Sequence, residues 1–171
     1  MSRRVRLALV VTLLLLFCPD AWAFDARVVK IHDGDTVSVR DSNGKPYRVR
    51  LWGIDAPEGD QPGGRKATEH CAAIALGQLV DVESKGYDKY ARMLGVLTFI
   101  EGERAGQTLN REMIRAGHAW AYGSTRWKKD QTLAKKEGRG LWRQKAPLPP
   151  QKWRKLNPPP LAAPSKAHPG A

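Results

Sequence analysis

Asp33 and Asp35 flank a single glycine, and Arg50, Asp55 and Glu58 follow within Val49-Arg50-Leu51-Trp52-Gly53-Ile54-Asp55-Ala56-Pro57-Glu58. Arg92 ends a further polar stretch, Asp88-Lys89-Tyr90-Ala91-Arg92. Carboxylate oxygens bind a hard cation, and a guanidinium fork grips a phosphate. Two aspartates can hold Ca2+ while leaving positions for water and a phosphate oxygen. Two arginines can neutralise the charge that grows on a pentacoordinate phosphorus, and a glutamate can orient or deprotonate the attacking water. Taken together, this is the equipment of phosphodiester hydrolysis.

Each of these signals is ordinary when taken singly. Asp33-Gly34-Asp35-Thr36 reads as a tight turn in which Gly34 supplies a positive φ. Arg50 alternates with Val49 and Leu51, as a residue on the outer face of a half-buried strand would. Arg92 could be surface charge ahead of a strand. Their force lies in the order Asp35, Arg50, Asp55, Glu58, Arg92. Every member falls at a strand end or in a loop, and closure of a barrel brings such positions to one rim.

The elements that must hold them are legible from Phe24 to Phe99. Val37 and Val39 alternate with polar neighbours, as do Tyr47, Val49 and Leu51 with Arg48 and Arg50. Asn43-Gly44 between these runs is a hairpin signal. Val80-Asp81-Val82 and Met93 to Phe99 supply two further strands, with a helix over Gly64 to Leu76 before them. Leu109, Met113 and Ala116 suit a helix that stops at Gly117. A last helix is capped by Asp130, runs through Lys136, and ends at Gly138 and Gly140. The expected class is α+β, mainly β: a five-stranded OB-fold barrel with three helices, a scaffold whose face and loops commonly bind oligonucleotides.

Residues 1–23 read as a signal peptide. Arg3, Arg4 and Arg6 precede an apolar run from Leu7 to Phe17, and Ala21-Trp22-Ala23 provides the cleavage pattern. The expected destination is the periplasm or the medium, with no stable membrane association after cleavage. The chain carries a net charge of +12, which becomes +10 once three arginines and Asp20 leave with residues 1–23. Such an excess favours polyanions by steering and counterion release. Cys71 falls among Ala67, Ile74 and Ala75 at helical spacing and reads as a small buried apolar residue. The four histidines are scattered, and none is assigned as a metal ligand. The domain expected to fold spans 24–143, and 144–171 reads as a Pro-rich basic tail, disordered or extended.

The ordered motifs resemble the thermonuclease, or staphylococcal-nuclease-like, family of secreted endonucleases. The resemblance runs over roughly residues 24 to 143 and includes Ala134-Lys135-Lys136-Glu137 and Gly140-Leu141-Trp142. It implies an OB-fold barrel with Ca2+ at its rim, acting on DNA and RNA that is single-stranded or locally opened, as a monomer. It implies Asp35 and Asp55 as carboxylate ligands, with the main-chain carbonyl of Ala56 completing the shell. Arg50 and Arg92 match the phosphate-clamping arginines, Glu58 the general base, and Asp33 a contributor behind the ligands or through water. Lys89 and Tyr90 fall where the family contacts a terminal phosphate, and Trp120 and Tyr122 are candidates to stack on the base. Ala56 replaces a threonine of the best-known member, a change that a main-chain ligand survives. The products implied have 3′-phosphate ends. Two other readings use fewer of these features: an OB-fold binder without hydrolysis, and a module for an acidic cell-surface polymer.

Overall fold

Strands whose apolar side chains recur at every second residue have one face to bury, and here they bury it by curling into a closed barrel. The structure is a computed structural model that describes residues 23–158. All but Ala23 of the expected signal peptide, and residues 159–171, lie outside the described residues. The strands are β1 (Ala23–Ile31), β2 (Thr36–Asp41), β3 (Pro46–Leu51), the short β4 (Ile54–Asp55), β5 (Leu79–Tyr87), β6 (Met93–Phe99) and the short β7 (Trp120–Ala121). The barrel order is β1-β2-β3-β6-β5, closed by β5 against β1, while β4 and β7 form a separate pair. Val37, Val39, Val49, Leu51, Val82, Leu97 and Phe99 are among the side chains that fill the interior. The β2–β3 hairpin turns at Asn43-Gly44 as expected. Gly44 takes φ +80, and the Asp41 carboxylate accepts from the Asn43 and Lys45 amides.

The helices are α1 (Gly64–Ala75), α2 (Leu109–Arg115), α3 (Lys128–Lys136) and α4 (Pro150–Leu156), with a 3-10 turn over Gly140–Arg143. Three were expected, and four are present among the described residues. The fourth lies inside 144–171, where extended or disordered chain was expected. Pro150 opens it, and a proline there has φ already set for a helix and no N–H to leave unbonded. Asp130 does not cap α3, which begins after Trp127. Asp130 sits in the first turn, where negative charge is favourable, and accepts from Arg111 Nε at 3.0 Å. Cys71 is buried in α1 as expected, and burial pushes its thiol pKa up to about 12, which leaves it unreactive.

One buried polar side chain ties α2 to the barrel. Asn110 accepts from the Leu97 amide at 3.1 Å and donates to the carbonyls of Trp52 and Gly95 at 2.8 and 3.1 Å. Asn110→Ala should cost about 2–4 kcal/mol in urea unfolding, because it leaves these buried groups unpaired and opens a void. A loss below about 0.5 kcal/mol, the size of a surface substitution, would contradict this role.

His70 and His118 stack with centroids 4.5 Å apart between α1 and the end of α2. Burial, then His70, then Lys66 lower the His118 pKa to about 4. Unfolded His118, near 6.5, therefore binds protons that the folded ring refuses, so stability falls as pH drops from about 6.5 to 4. His118→Asn should flatten this part of the stability curve; an identical slope in wild type and variant would sink the assignment.

Candidate active site

Strand register brings the charged residues to one rim. Thr36 pairs with Arg50 across β2 and β3, and the Leu51 amide donates to the Asp35 carbonyl at 2.7 Å. Asp35, one residue before β2, therefore stands beside Arg50. Parallel pairing of β3 with β6 sets Arg50 opposite Leu94, which brings Arg92 to the same end. Gly53, at φ +78, turns the chain from β3 into β4, and Asp55 then pairs with Trp120 on β7. Gly34 has a different purpose from the one expected. It does not adopt a positive φ; instead, a Cβ there would meet the Ala56 and Ala67 methyls at 2.8 Å. Glycine lets the Asp33–Asp35 loop press against Ala56 and α1.

The centre of the site is a guanidinium between two carboxylates. Asp35 is 5% and Asp55 2% exposed. Arg50 Nη2 donates to Asp55 Oδ1 at 2.7 Å. Its Nη1 is ion-paired with Asp35 Oδ1 without making a hydrogen bond to it. Burial lowers the Arg50 pKa, and Asp55 acts against that shift. Asp35 Oδ2 accepts the Ala56 amide at 2.6 Å, and its Oδ1 accepts the Thr36 hydroxyl at 3.1 Å. Asp33 braces the loop from behind, its Oδ1 accepting the Asp35 amide at 2.9 Å. Arg92 is aimed by Asp88, which accepts from its Nε at 2.8 Å and from its amide at 3.0 Å.

These groups open onto a cleft of about 310 Å³ lined by Asp33, Asp35, Arg50, Ala56, Pro57, Glu58, Tyr90, Arg92 and Arg154. A larger cavity of about 490 Å³ lies elsewhere, among Lys66, His118, Arg139 and Leu141. No carboxylate lines it, so the smaller cleft is the one equipped for chemistry. Of the expected substrate contacts, Tyr90 lines the cleft and is 68% exposed. Lys89 is not in the lining; its Nζ lies 5.0 Å from the Tyr90 ring centroid. Tyr122 borders an adjoining space of about 180 Å³ together with Arg50 and Leu94. Trp120 does not reach the cleft, because it packs edge-on against Trp142 at 5.2 Å. A stacking role for Trp120 is therefore not supported by its position.

Arg154 on α4 was missed. Its Nη2 reaches Asp55 Oδ2 at 3.1 Å, and its Nη1 reaches Glu58 Oε1 at 2.5 Å. The sequence marks α4 only by Pro150 and the basic stretch after it. Nothing there points to carboxylates nearly a hundred residues earlier.

Among the described residues, no three Asp, Glu, His or Cys side chains form a metal-binding group. The donor set is instead a pair of nearly buried carboxylates: Asp35 lines the cleft with Ala56, and Asp55 stands behind its lining, paired with Arg50 and Arg154. These donors are all oxygen, they already balance positive charge, and they leave most of a coordination shell to water and substrate. That fits a hard divalent cation.

The model of the staphylococcal nuclease homologue family matches residues 48–144, a span that holds Arg50, Asp55, Glu58 and Arg92. An "Uncharacterized endonuclease" of Escherichia coli O157:H7 is 38% identical over 145 residues, covering 81% of this chain and 88% of its own. A "Micrococcal nuclease" of Shigella flexneri is 35% identical over 161 residues, covering 88% and 92%. An "Uncharacterized endonuclease" of Haemophilus influenzae is 36% identical over 133 residues, covering 75% and 72%. With its closed five-stranded barrel, and with Arg50, Asp55, Glu58 and Arg92 of the charged rim inside the matched span, the chain belongs to the staphylococcal nuclease family.

Proposed function

We propose that this chain is an exported, Ca2+-dependent endonuclease that hydrolyses DNA and RNA and leaves 3′-phosphate ends. Family membership and relatives bearing endonuclease and nuclease names support the hydrolase; the ion, the export and the product ends extend that reading. The observation that carries it is Arg50 set between the buried Asp35 and Asp55, open to the same cleft as Glu58 and Arg92.

In this reading a phosphodiester settles on the Arg50 and Arg92 guanidinium groups, whose charge offsets the negative charge that grows on the phosphoryl oxygens. Asp35, Asp55 and the Ala56 carbonyl would hold Ca2+, which would polarise a phosphate oxygen when bound. Glu58 accepts a proton from the attacking water. The water oxygen bonds to phosphorus, the bond from phosphorus to the 5′ oxygen breaks, and its electron pair leaves on that oxygen, which solvent protonates. The phosphate stays on the 3′ side. Tyr90 lines the cleft with the Lys89 ammonium over its ring, a pair suited to a neighbouring phosphate. Binding without hydrolysis is the alternative, and it gives no use to two buried carboxylates facing a polyanion.

Glu58→Gln and Arg92→Ala should each lower kcat on denatured DNA by about 10²–10³-fold. Folding should be little changed, since the Arg92–Asp88 pair lies at the rim, with side chains 25% and 16% exposed, outside the apolar core. End-group analysis of wild-type products should find 3′-phosphates. Wild-type turnover in either variant at saturating DNA would contradict the assigned roles, and tight binding by a wild type that never cleaves would favour the binder.

A further inference from the structure

We propose that α4 is a built-in competitor of the cation, with the Arg154 guanidinium occupying Asp55 and Glu58 until a divalent ion displaces it. The inference rests on the cation-dependent reading above. It starts from the donors that already surround the two aspartates. Asp35 Oδ1 faces Arg50 and the Thr36 hydroxyl, and its Oδ2 accepts the Ala56 amide. Asp55 Oδ1 accepts from Arg50 Nη2 at 2.7 Å, and its Oδ2 faces Arg154 Nη2 at 3.1 Å. Each of the four oxygens is engaged. Guanidinium charge already faces both Asp55 oxygens, so a cation binds Asp55 more tightly where one guanidinium withdraws.

Arg154 is the guanidinium able to withdraw. Arg50 is anchored in β3 inside the barrel sheet, and its side chain is 15% exposed, whereas that of Arg154 is 44% exposed. Arg154 sits on a seven-residue helix held to the rim by few bonds. Gln61 Nε2 donates to the Leu148 carbonyl at 2.6 Å, and Trp153 Nε1 donates to Asp60 Oδ1 at 3.3 Å. Both anchors lie on the loop that carries Glu58, whose own amide donates to Gln61 Oε1 at 3.2 Å. The contacts of α4 and the residues before it thus tie down the Glu58 loop and set a guanidinium against its carboxylate. In that state Glu58 Oε1 is occupied by Arg154 Nη1 and is not open to a water. Ion binding at Asp55 removes the attraction that holds Arg154, and release of α4 frees Glu58. Two ligands that exclude one another weaken each other by the same factor.

Isothermal titration of CaCl2 into the full chain, without nucleic acid, tests this directly. Arg154→Gln should bind Ca2+ about tenfold more tightly than wild type, while Lys152→Gln, which removes the same charge from the same helix, should change affinity less than about twofold. In wild type, Ca2+ should also speed amide hydrogen exchange across residues 150–156. Equal affinity in wild type and Arg154→Gln, or an equal gain in Lys152→Gln, would overturn the competition and leave the cation site standing. Absence of Ca2+ binding in both wild type and Arg154→Gln would overturn the cation reading itself, and the competition with it.

Discussion

Two carboxylates buried at one end of the barrel set the terms for everything around them. An ionised carboxylate taken out of water without a partner is disfavoured by several kcal/mol, so Asp35 and Asp55 must have positive charge beside them. Arg50 provides it from β3, and its own charge is tolerable there only because both aspartates face it. The register of β2 on β3, the glycine that lets the Asp35 loop lie against Ala56, and the β4–β7 pair that fixes Asp55 all serve to hold this arrangement. A buried ion cluster of this kind adds little net stability. Its value lies in holding carboxylate oxygens and a guanidinium fork in fixed directions at the mouth of a cleft, before any substrate arrives.

How much of this could be read beforehand depended on the range of the interaction. The alternation of Val37 and Val39 with polar neighbours, and the Asn43-Gly44 turn, are local signals, and β2 and β3 form where those signals fall. The residue types of the site were legible too, because phosphate and hard-cation chemistry restricts them to Arg, Asp and Glu. The closure of β3 on β6, which brings Arg92 to Arg50, pairs strands more than forty residues apart and leaves no local mark. Gly34 shows a subtler limit. A glycine between two aspartates suggests a left-handed turn, whereas the actual demand is room for the Ala56 and Ala67 methyls. Asp130 was misplaced for a related reason: a first-turn acid and a cap differ by three residues, and tertiary pairing with Arg111 decides which it is.

The C-terminal segment is where composition misled most. Prolines and lysines after Ala146 suggest chain without packing, yet Pro150 also suits the first turn of a helix, and Trp153 and Arg154 give that helix something to hold. Its docking surface is the Asp55–Gln61 stretch, which also carries Glu58. The aromatic residues followed packing rather than motif position. Trp120 serves the interface with Trp142, and Tyr90, pinned in its turn by the Asp88 carboxylate, is the ring presented to the cleft. This barrel therefore combines a charged rim, set by strand register, with a short helix from outside the barrel that lies against it.

In the proposed function, strand cleavage depends on a cation held by the buried aspartates. The most direct measurement follows the hydrolysis of heat-denatured DNA and of RNA by the purified protein in Ca2+, after a calcium-selective chelator, and after Ca2+ is restored. Cleavage that stops on chelation and returns in full on re-addition is the expected result. Cleavage that continues undiminished under chelation, or nucleic acid bound but left intact in Ca2+, Mg2+ and Mn2+ alike, would contradict the account.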